Sequence, residues 1–303
     1  MRRARQHQQE GPRRQRPRAR LGAGPAGHVR RGRTSRRTRE RTPPVSASRP
    51  AATTPDEAED SYESVAGLYD LLAAAQGASA PPRISAFAEL AQPGMRVADV
   101  GAGTGRVALA VGARQADVWC VEPSASMRSA LLAKLAQHPQ LWPHVTVRAG
   151  QAPGMALDGT FDYAYLAGSL QFLDAADRRA TFAELSDRLA PGALLALDMV
   201  DDLPVTPDPD GAEATVADVV VGKSRYTLRA AVTAAAVGRA DMRYRYVTEC
   251  GNHRTVQTLR RTRYFHTFDE VHADLTATGF TVDTEHSGGW RDNTQPLVAR
   301  RNR

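Results

Sequence analysis

VADVGAGTGRVAL, residues 97–109, is the stretch from which the organisation of this chain is read. A run of core-type residues ends at Val100, glycines at 101, 103 and 105 make a tight bend, and a helical pattern begins. Glycine is required where a backbone takes positive φ or lies directly against a ligand. Three glycines at alternate positions, between a strand and a helix, therefore mark a bend built for more than a turn.

Working outward, MRVADV (95–100) reads as a buried strand and the segment from about Gly105 as a helix. ADVWCVE (116–122) is a second strand, and Ser124 caps a helix whose apolar face is Met127, Leu131 and Leu135. HVTVRA (144–149) and FDYAYLA (161–167) are the third and fourth strands. Asp174 caps the next helix, with Phe182, Leu185 and Leu189 inward, and Pro191-Gly192 turns the chain into a fifth strand, ALLALDMV (193–200). Such alternation specifies a parallel sheet with helices on both faces. Upstream, SYESVAGLYDLLAAA (61–75) has helical spacing, with Ser61 as its N-cap, and Ile84 to Leu90 forms a second helix. Residues 204–263 break the rhythm and read as an antiparallel insertion of four strands; in the third, Met242, Tyr244 and Tyr246 alternate with Arg243 and Arg245. A capping box at Thr267 and Glu270 opens the last helix, with Phe268, Val271 and Leu275 inward and Gly279 at its end. Strands near 280–286 and 295–301 complete the expected fold: an α/β, Rossmann-like, seven-stranded mostly parallel sheet with an antiparallel β insertion.

Charge divides the chain. Residues 1–50 hold 16 arginines against Glu10 and Glu40, or +14. The remaining 24 basic and 31 acidic residues give −7. Residues 1–60 lack periodic apolar positions and read as a disordered arginine-rich leader, with 61–303 as the functional domain. The leader is either an arm for nucleic acid or an anionic surface, or sequence upstream of a later start such as Val45; the second reading is preferred. The acidic body argues against a nucleic-acid footprint. Two lysines against 38 arginines point to a GC-rich genome. Two distant cysteines suit a reducing cytoplasm. No apolar run approaches the roughly 20 residues needed to span a bilayer, and no secretory h-region is present.

Glu122 ends the second strand, 21 residues beyond Gly101, where a carboxylate can accept from both hydroxyls of a ribose. Two ligands compete for the bend. A dinucleotide loop is spaced G-x-G-x-x-G and meets a pyrophosphate at a helix N-terminus. Here the spacing is G-x-G-x-G, and Asp99 precedes the first glycine by two residues. A carboxylate there repels pyrophosphate and suits a cation, such as the sulfonium and amino group of S-adenosylmethionine.

In DVGAGTG (99–105) and VEPSASM (121–127) the sequence resembles the class I S-adenosylmethionine-dependent methyltransferases of the small-molecule type; FDYAYLAGSLQFL (161–173) and LAPGALLALDM (189–199) support the likeness. The resemblance covers roughly residues 61–303. It implies that Gly101, Ala102, Gly103, Thr104 and Gly105 hold the methionine and ribose moieties, with Asp99 at the root of the loop. It also implies that Glu122 binds the ribose, that Pro123 and Met127 flank the adenine, and that Leu166 and Ala167 lie near the methionine part. Many members carry an acid after the third strand; here the stretch is AGQA, so Gln151 supplies an amide, beside Ala152.

Chemistry beyond the cofactor is thinly marked, because the cofactor itself activates the methyl group. Tyr69, Gln171 and His266 are candidates for contact with the acceptor or for proton transfer, each balanced by a packing, loop-stabilising or surface role. Arg260, Arg261 and Arg263 can hold an acidic substrate group, though alternating charge on an exposed strand is the preferred reading. Histidine and cysteine spacing shows no metal site, and Asp198, Asp201 and Asp202 lack the adjacent Asp-Asn pair of metal-dependent relatives. The resulting expectation is a cytoplasmic, metal-independent enzyme that methylates nitrogen or oxygen of a small molecule in antibiotic-type metabolism. A nicotinamide-dependent oxidoreductase and a nucleic-acid methyltransferase using the basic tail are the alternatives.

Overall fold

The computed structural model describes residues 60–76, 83–199, 212–288 and 295–303. The expected leader, apart from Asp60, lies outside the described residues, as do Val200, Asp201, Asp202 and the start of the expected insertion.

Alternation of strand and helix signals produces a seven-stranded sheet. Its strands are β1 (Arg96–Val100), β2 (Asp117–Glu122), β3 (Val145–Ala149), β4 (Phe161–Leu166), β5 (Leu189–Leu197), β10 (Phe280–Val282) and β11 (Leu297–Arg301). Their order is β10-β11-β5-β4-β1-β2-β3, with β1 to β5 parallel and β11 antiparallel to both neighbours. The order reverses between β1 and β4, which opens a crevice above their carboxyl ends. The strands are apolar on both faces. Val100, Leu166, Leu195 and Leu197 pack with Phe182, Leu185, Val271 and Leu275 of α5 (Ala175–Arg188) and α6 (Phe268–Ala277). On the other face Val97, Val118 and Tyr163 pack with α2 (Arg83–Glu89), α3 (Arg106–Gly112) and α4 (Ala125–Leu135).

A separate antiparallel sheet has the order β6 (Ala214–Val221), β7 (Ser224–Ala236), β8 (Arg239–Cys250), β9 (His253–Tyr264). Leu228, Tyr246 and Leu259 on one of its faces pack against Val65 and Leu72, which ties it to α1 (Ala66–Ala75). Among the described residues, no helix is long and apolar enough to cross a membrane.

Three local expectations are corrected. Ser61 does not cap a helix: residues 61–65 are turns, and α1 begins at Ala66 with no side-chain cap. Asp60 accounts for this, because its Oδ1 accepts from the Tyr62 amide at 2.9 Å and turns the chain before the helix starts. Pro191-Gly192 lies inside β5, where pairing with β4 skips from Phe161↔Leu189 to Tyr163↔Leu194; Gly192, at φ +83°, absorbs the irregularity. His266 is buried, with its ring between two donor–acceptor partners. Arg178 donates from Nη1 to His266 Nδ1 at 2.6 Å, and His266 Nε2 lies 2.9 Å from the Leu173 carbonyl, which makes Nε2 the protonated nitrogen. Arg178 also donates from Nε and Nη2 to Oδ2 of Asp274, at 2.8 and 2.6 Å, and so joins α5 to α6.

Removing Asp274 strands a buried guanidinium, so Asp274→Ala should cost about 3–5 kcal/mol in urea unfolding. Burial, then the charge of Arg178, holds His266 below the usual imidazole value. Its unfolded state therefore takes a proton first as pH falls. Stability should decline from about pH 6.5 downward, and His266→Gln should flatten that part of the unfolding-midpoint profile.

Candidate active site

Above the crevice lies a cavity of about 630 Å³, walled by the ends of β1, β2, β4 and β5, by α1 and by the inner face of the antiparallel sheet. Asp99, Gly101, Ala102, Gly103, Thr104, Glu122, Pro123, Met127, Gln151, Ala152, Leu166 and Ala167 all line it, together with Tyr69 and Gln171. Gly105 and His266 do not.

The three glycines have three separate reasons. A Cβ on Gly101 would stand 2.6 Å from Cβ of Ser169, whose hydroxyl donates to the Val100 carbonyl at 2.6 Å. Gly101 thus allows the chain after β4 to close on β1. A Cβ on Gly103 meets nothing within 4 Å and would project into open space beside the cavity. Gly105 is the N-cap of α3 at φ +76°, and a Cβ there would stand 2.0 Å from Cδ1 of the fully buried Leu131. Packing of α3 against Leu131 is thus a sufficient reason for glycine at this position.

Glu122 is 6% exposed, and both its oxygens are engaged. Oε2 accepts from the Gly103 amide at 2.8 Å and Oε1 from the Ser124 amide at 2.9 Å. Ser124 in turn caps α4 by accepting from Met127 N, as its sequence position implied. Asp99 is 2% exposed and accepts from the Tyr165 hydroxyl at 2.9 Å. Burial, with the Glu122 charge adding, pushes its carboxyl up to about 7 against the opposing Tyr165 bond. Burial likewise raises Glu122, against its two backbone donors. Two buried carboxyls facing one cavity are electrostatically suited to a cation.

Polar contacts hold α1 over this floor. Thr104 Oγ1 donates to Oδ1 of Asp70 at 2.7 Å, and Lys134 of α4 meets its Oδ2 at 2.6 Å. Oδ2 of Asp60 accepts from the Ser126 amide and the Ser124 hydroxyl at the start of α4.

Tyrosines furnish the opposite wall. Tyr62 and Tyr69 meet edge to face at 6.4 Å, and Tyr244 and Tyr246 come from β8. Burial pushes Tyr69 up to about 12 and raises Tyr244 and Tyr246. These phenols stay protonated, able to donate hydrogen bonds but not to act as bases. Gln171 donates to the Gly168 carbonyl at 3.1 Å and accepts from Arg263, so it braces its loop and orients that arginine.

Arg261 and Arg263 line the cavity, whereas Arg260 is exposed on the other face. The exposed-strand reading therefore holds for Arg260 alone. Phe172 lines the cavity from the loop after β4, and Arg106, which sequence reasoning missed, lines it from the start of α3. Asp198 lines the cavity and accepts from the Gly168 amide at 2.8 Å. Ligand atoms of Asp283, Glu285 and His286 lie within 4.8 Å of one another outside the cavity, a grouping that spacing alone did not reveal. Asp283 there is already bound by Arg300 and His286.

Residues 98–195 match the family model of a methyltransferase domain, which bears out the resemblance drawn from the glycine bend. No curated protein matches the sequence. Solved structures share the fold. CalS10, an amino pentose methyltransferase of calicheamicin biosynthesis from Micromonospora echinaspora solved with S-adenosylmethionine bound, is 22% identical with a TM-score of 0.60, covering 78% of this chain and 97% of its own. DesVI of Streptomyces venezuelae is 18% identical with a TM-score of 0.64, covering 78% and 98%. The sugar N-methyltransferase KedS8 of a Streptoalloteichus species is 18% identical with a TM-score of 0.60, covering 87% and 100%.

The glycines make separable predictions. Gly103→Ala should lower stability by about 1–2 kcal/mol, the cost of a left-handed residue. Gly105→Ala should add about 1–3 kcal/mol from overpacking, and Leu131→Ala in the same chain should recover part of that excess in a double-mutant cycle read by thermal melting.

Proposed function

We propose that this chain is an S-adenosylmethionine-dependent methyltransferase acting on a small-molecule amine in specialised metabolism, in the cytoplasm and without a metal. The observation that carries the reading is the bend itself. Beside Gly103 no atom lies within 4 Å of where a Cβ would stand, in a cavity lined by the buried carboxyls of Asp99 and Glu122.

The residues present fit this cofactor. Gly103 lacks the Cβ that would intrude on it, and Glu122 is held by two backbone amides with lone pairs left for ribose hydroxyls. Met127 and Pro123 would flank the adenine, and the Gln151 amide would accept from its amino group. When bound, the cofactor supplies an electrophilic methyl group on a cationic sulfur. Asp99 then favours that cation in a site where desolvation strengthens the attraction.

Nitrogen is preferred over oxygen on the chemistry of the wall. A hydroxyl acceptor needs a base at the moment of attack. The carboxyls of the cavity, Asp99, Glu122 and Asp198, each already accept hydrogen bonds on the donor side, and no histidine or lysine lines it among the described residues. The raised phenols of Tyr69, Tyr244 and Tyr246 keep their protons. A neutral amine attacks with its own lone pair, and the alkylammonium it becomes is stabilised by aromatic faces. CalS10 and KedS8 being amino pentose and sugar N-methyltransferases supports the same acceptor class. A nicotinamide enzyme is disfavoured, because Asp99 repels the pyrophosphate such a loop must hold.

Calorimetry with S-adenosylmethionine or S-adenosylhomocysteine tests the reading, and no uptake of either overturns it. Glu122→Gln should weaken binding about ten- to hundredfold, the value of charge-assisted bonds to two hydroxyls. Because Asp99 titrates at about 7 in the free protein, it takes a proton as pH falls and no longer attracts a cation. S-adenosylmethionine affinity should therefore drop as pH is lowered through 7, with buffer-dependent proton release on binding near that pH. Tritium from the labelled donor should enter amino sugars and not their hydroxyl analogues.

A further inference from the structure

Arg261 and Arg263 stand two residues apart on β9, so strand alternation turns both towards the cavity. The guanidinium of Arg261 lies over the rings of Tyr62 at 4.6 Å and Phe172 at 5.0 Å. Stacking of this kind covers the guanidinium faces and leaves its in-plane N–H edges to an acceptor. Nε is buried and without a hydrogen-bond partner in both arginines. Arg263 engages the neutral Gln171 oxygen and the Tyr244 hydroxyl, and neither arginine has an ion-pair partner among the described residues. On the opposite face, by contrast, Arg243 and Arg245 share Glu213. Arg261 does favour the ionised form of Glu122 at a distance, but the Glu122 oxygens are held by Gly103 and Ser124.

Two guanidinium groups turned into one cavity with buried, unused donors are costly unless an anion completes them. A carboxylate or a phosphate matches their fork geometry. The methyl donor carries a carboxylate of its own, for which Arg106, the residue after the glycine bend and also in the cavity lining, is available. We propose that Arg261 and Arg263 seat an anionic group, carboxylate or phosphate, borne by the methyl acceptor. This proposal rests on the methyltransferase reading. The cavity is then polarised, with carboxyls under the cationic donor and guanidinium groups facing an acidic acceptor.

The test uses the full chain with arginine side chains labelled by nitrogen-15. Arg261→Lys and Arg263→Lys assign the two buried Nε–H resonances by their loss. Inorganic pyrophosphate and malonate are then titrated separately at roughly 0.15 M salt, where exposed charges are screened. Saturable shifts of both resonances by at least one anion are expected, and the lysine variants should weaken that binding about ten- to hundredfold. Pyrophosphate alone marks a phosphate-bearing acceptor, and malonate alone a carboxylate. S-adenosylhomocysteine affinity in the variants should stay within about twofold. The proposal fails if neither anion moves the resonances, or if anion binding is unchanged in the variants. It fails equally if the variants lose S-adenosylhomocysteine, which would assign the arginines to the donor's carboxylate. Titration of donor-free protein decides the arginines alone, whereas absent S-adenosylhomocysteine uptake by the unmutated chain removes the methyltransferase reading.

Discussion

The carboxylate of Glu122 is the junction on which the site depends. One oxygen accepts from Gly103 and the other from Ser124, so a single buried side chain fixes the bend after β1 to the start of α4. A bend of three glycines has high conformational freedom in the unfolded chain, and its ordering is costly. Two charge-assisted bonds to backbone amides offset that cost and leave the outer lone pairs facing the cavity. Burial raises the pKa of Glu122 while the two amides lower it. The same contacts therefore hold the loop in shape and keep an acid usable as an acceptor.

From that junction the rest of the floor follows. Ser124 can cap α4 only if its own amide points back to Glu122, and its hydroxyl then also meets Asp60. Asp60 places a negative charge at the N-terminal end of the α4 dipole, where it is favoured, and its carboxyl is held below the ordinary range by these bonds despite burial. Asp70, within α1, makes a second polar link by joining Thr104 of the bend to Lys134 in the last turn of α4. Helix α1 is thereby aligned by polar contacts to the floor and by apolar contacts of Leu72 to the antiparallel sheet. A cover held in this way fixes one wall of the cavity above the crevice, and fixed walls are what orienting two reactants requires of a protein.

Signals carried by adjacent residues were legible in the sequence. The Ser124 and Asp174 caps and the Thr267–Glu270 box depend on partners two or three residues away, and each forms as read. Asp99 and Glu122 were legible because strand, bend and strand fix their positions. Gly105 was legible as a glycine but not in its purpose, since the atom that excludes a Cβ belongs to Leu131, 26 residues later. Ser61 failed because Asp60, one residue earlier, competes for the same local amides. His266 read as exposed because its burying partners, Arg178 and Leu173, come from a distant segment. On β8, tyrosine alternates with arginine and the inner face could be told from the outer. On β9, Arg260, Arg261 and Arg263 place the same residue type on both faces, and only the registered neighbours Leu259↔Tyr244 and Arg261↔Met242 show which way they turn.

The antiparallel sheet supplies what the parallel one cannot. Strands β1 to β5 are covered on both faces, so they offer a ligand only their ends and the loops that follow them. A sheet with one face packed and one face wet can alternate two kinds of surface along each strand. β8 and β9 use this period of two to set tyrosine π faces and arginine donors side by side on the cavity, while Arg243 and Arg245 neutralise Glu213 behind them. Under the proposed reading, donor chemistry belongs to the ends of parallel strands and acceptor chemistry to the face of antiparallel ones. The two sheets share no strand, but β9 meets the loop after β4 through Arg263 on Gln171 and Arg261 on Phe172, and that loop closes on Gly101 through Ser169.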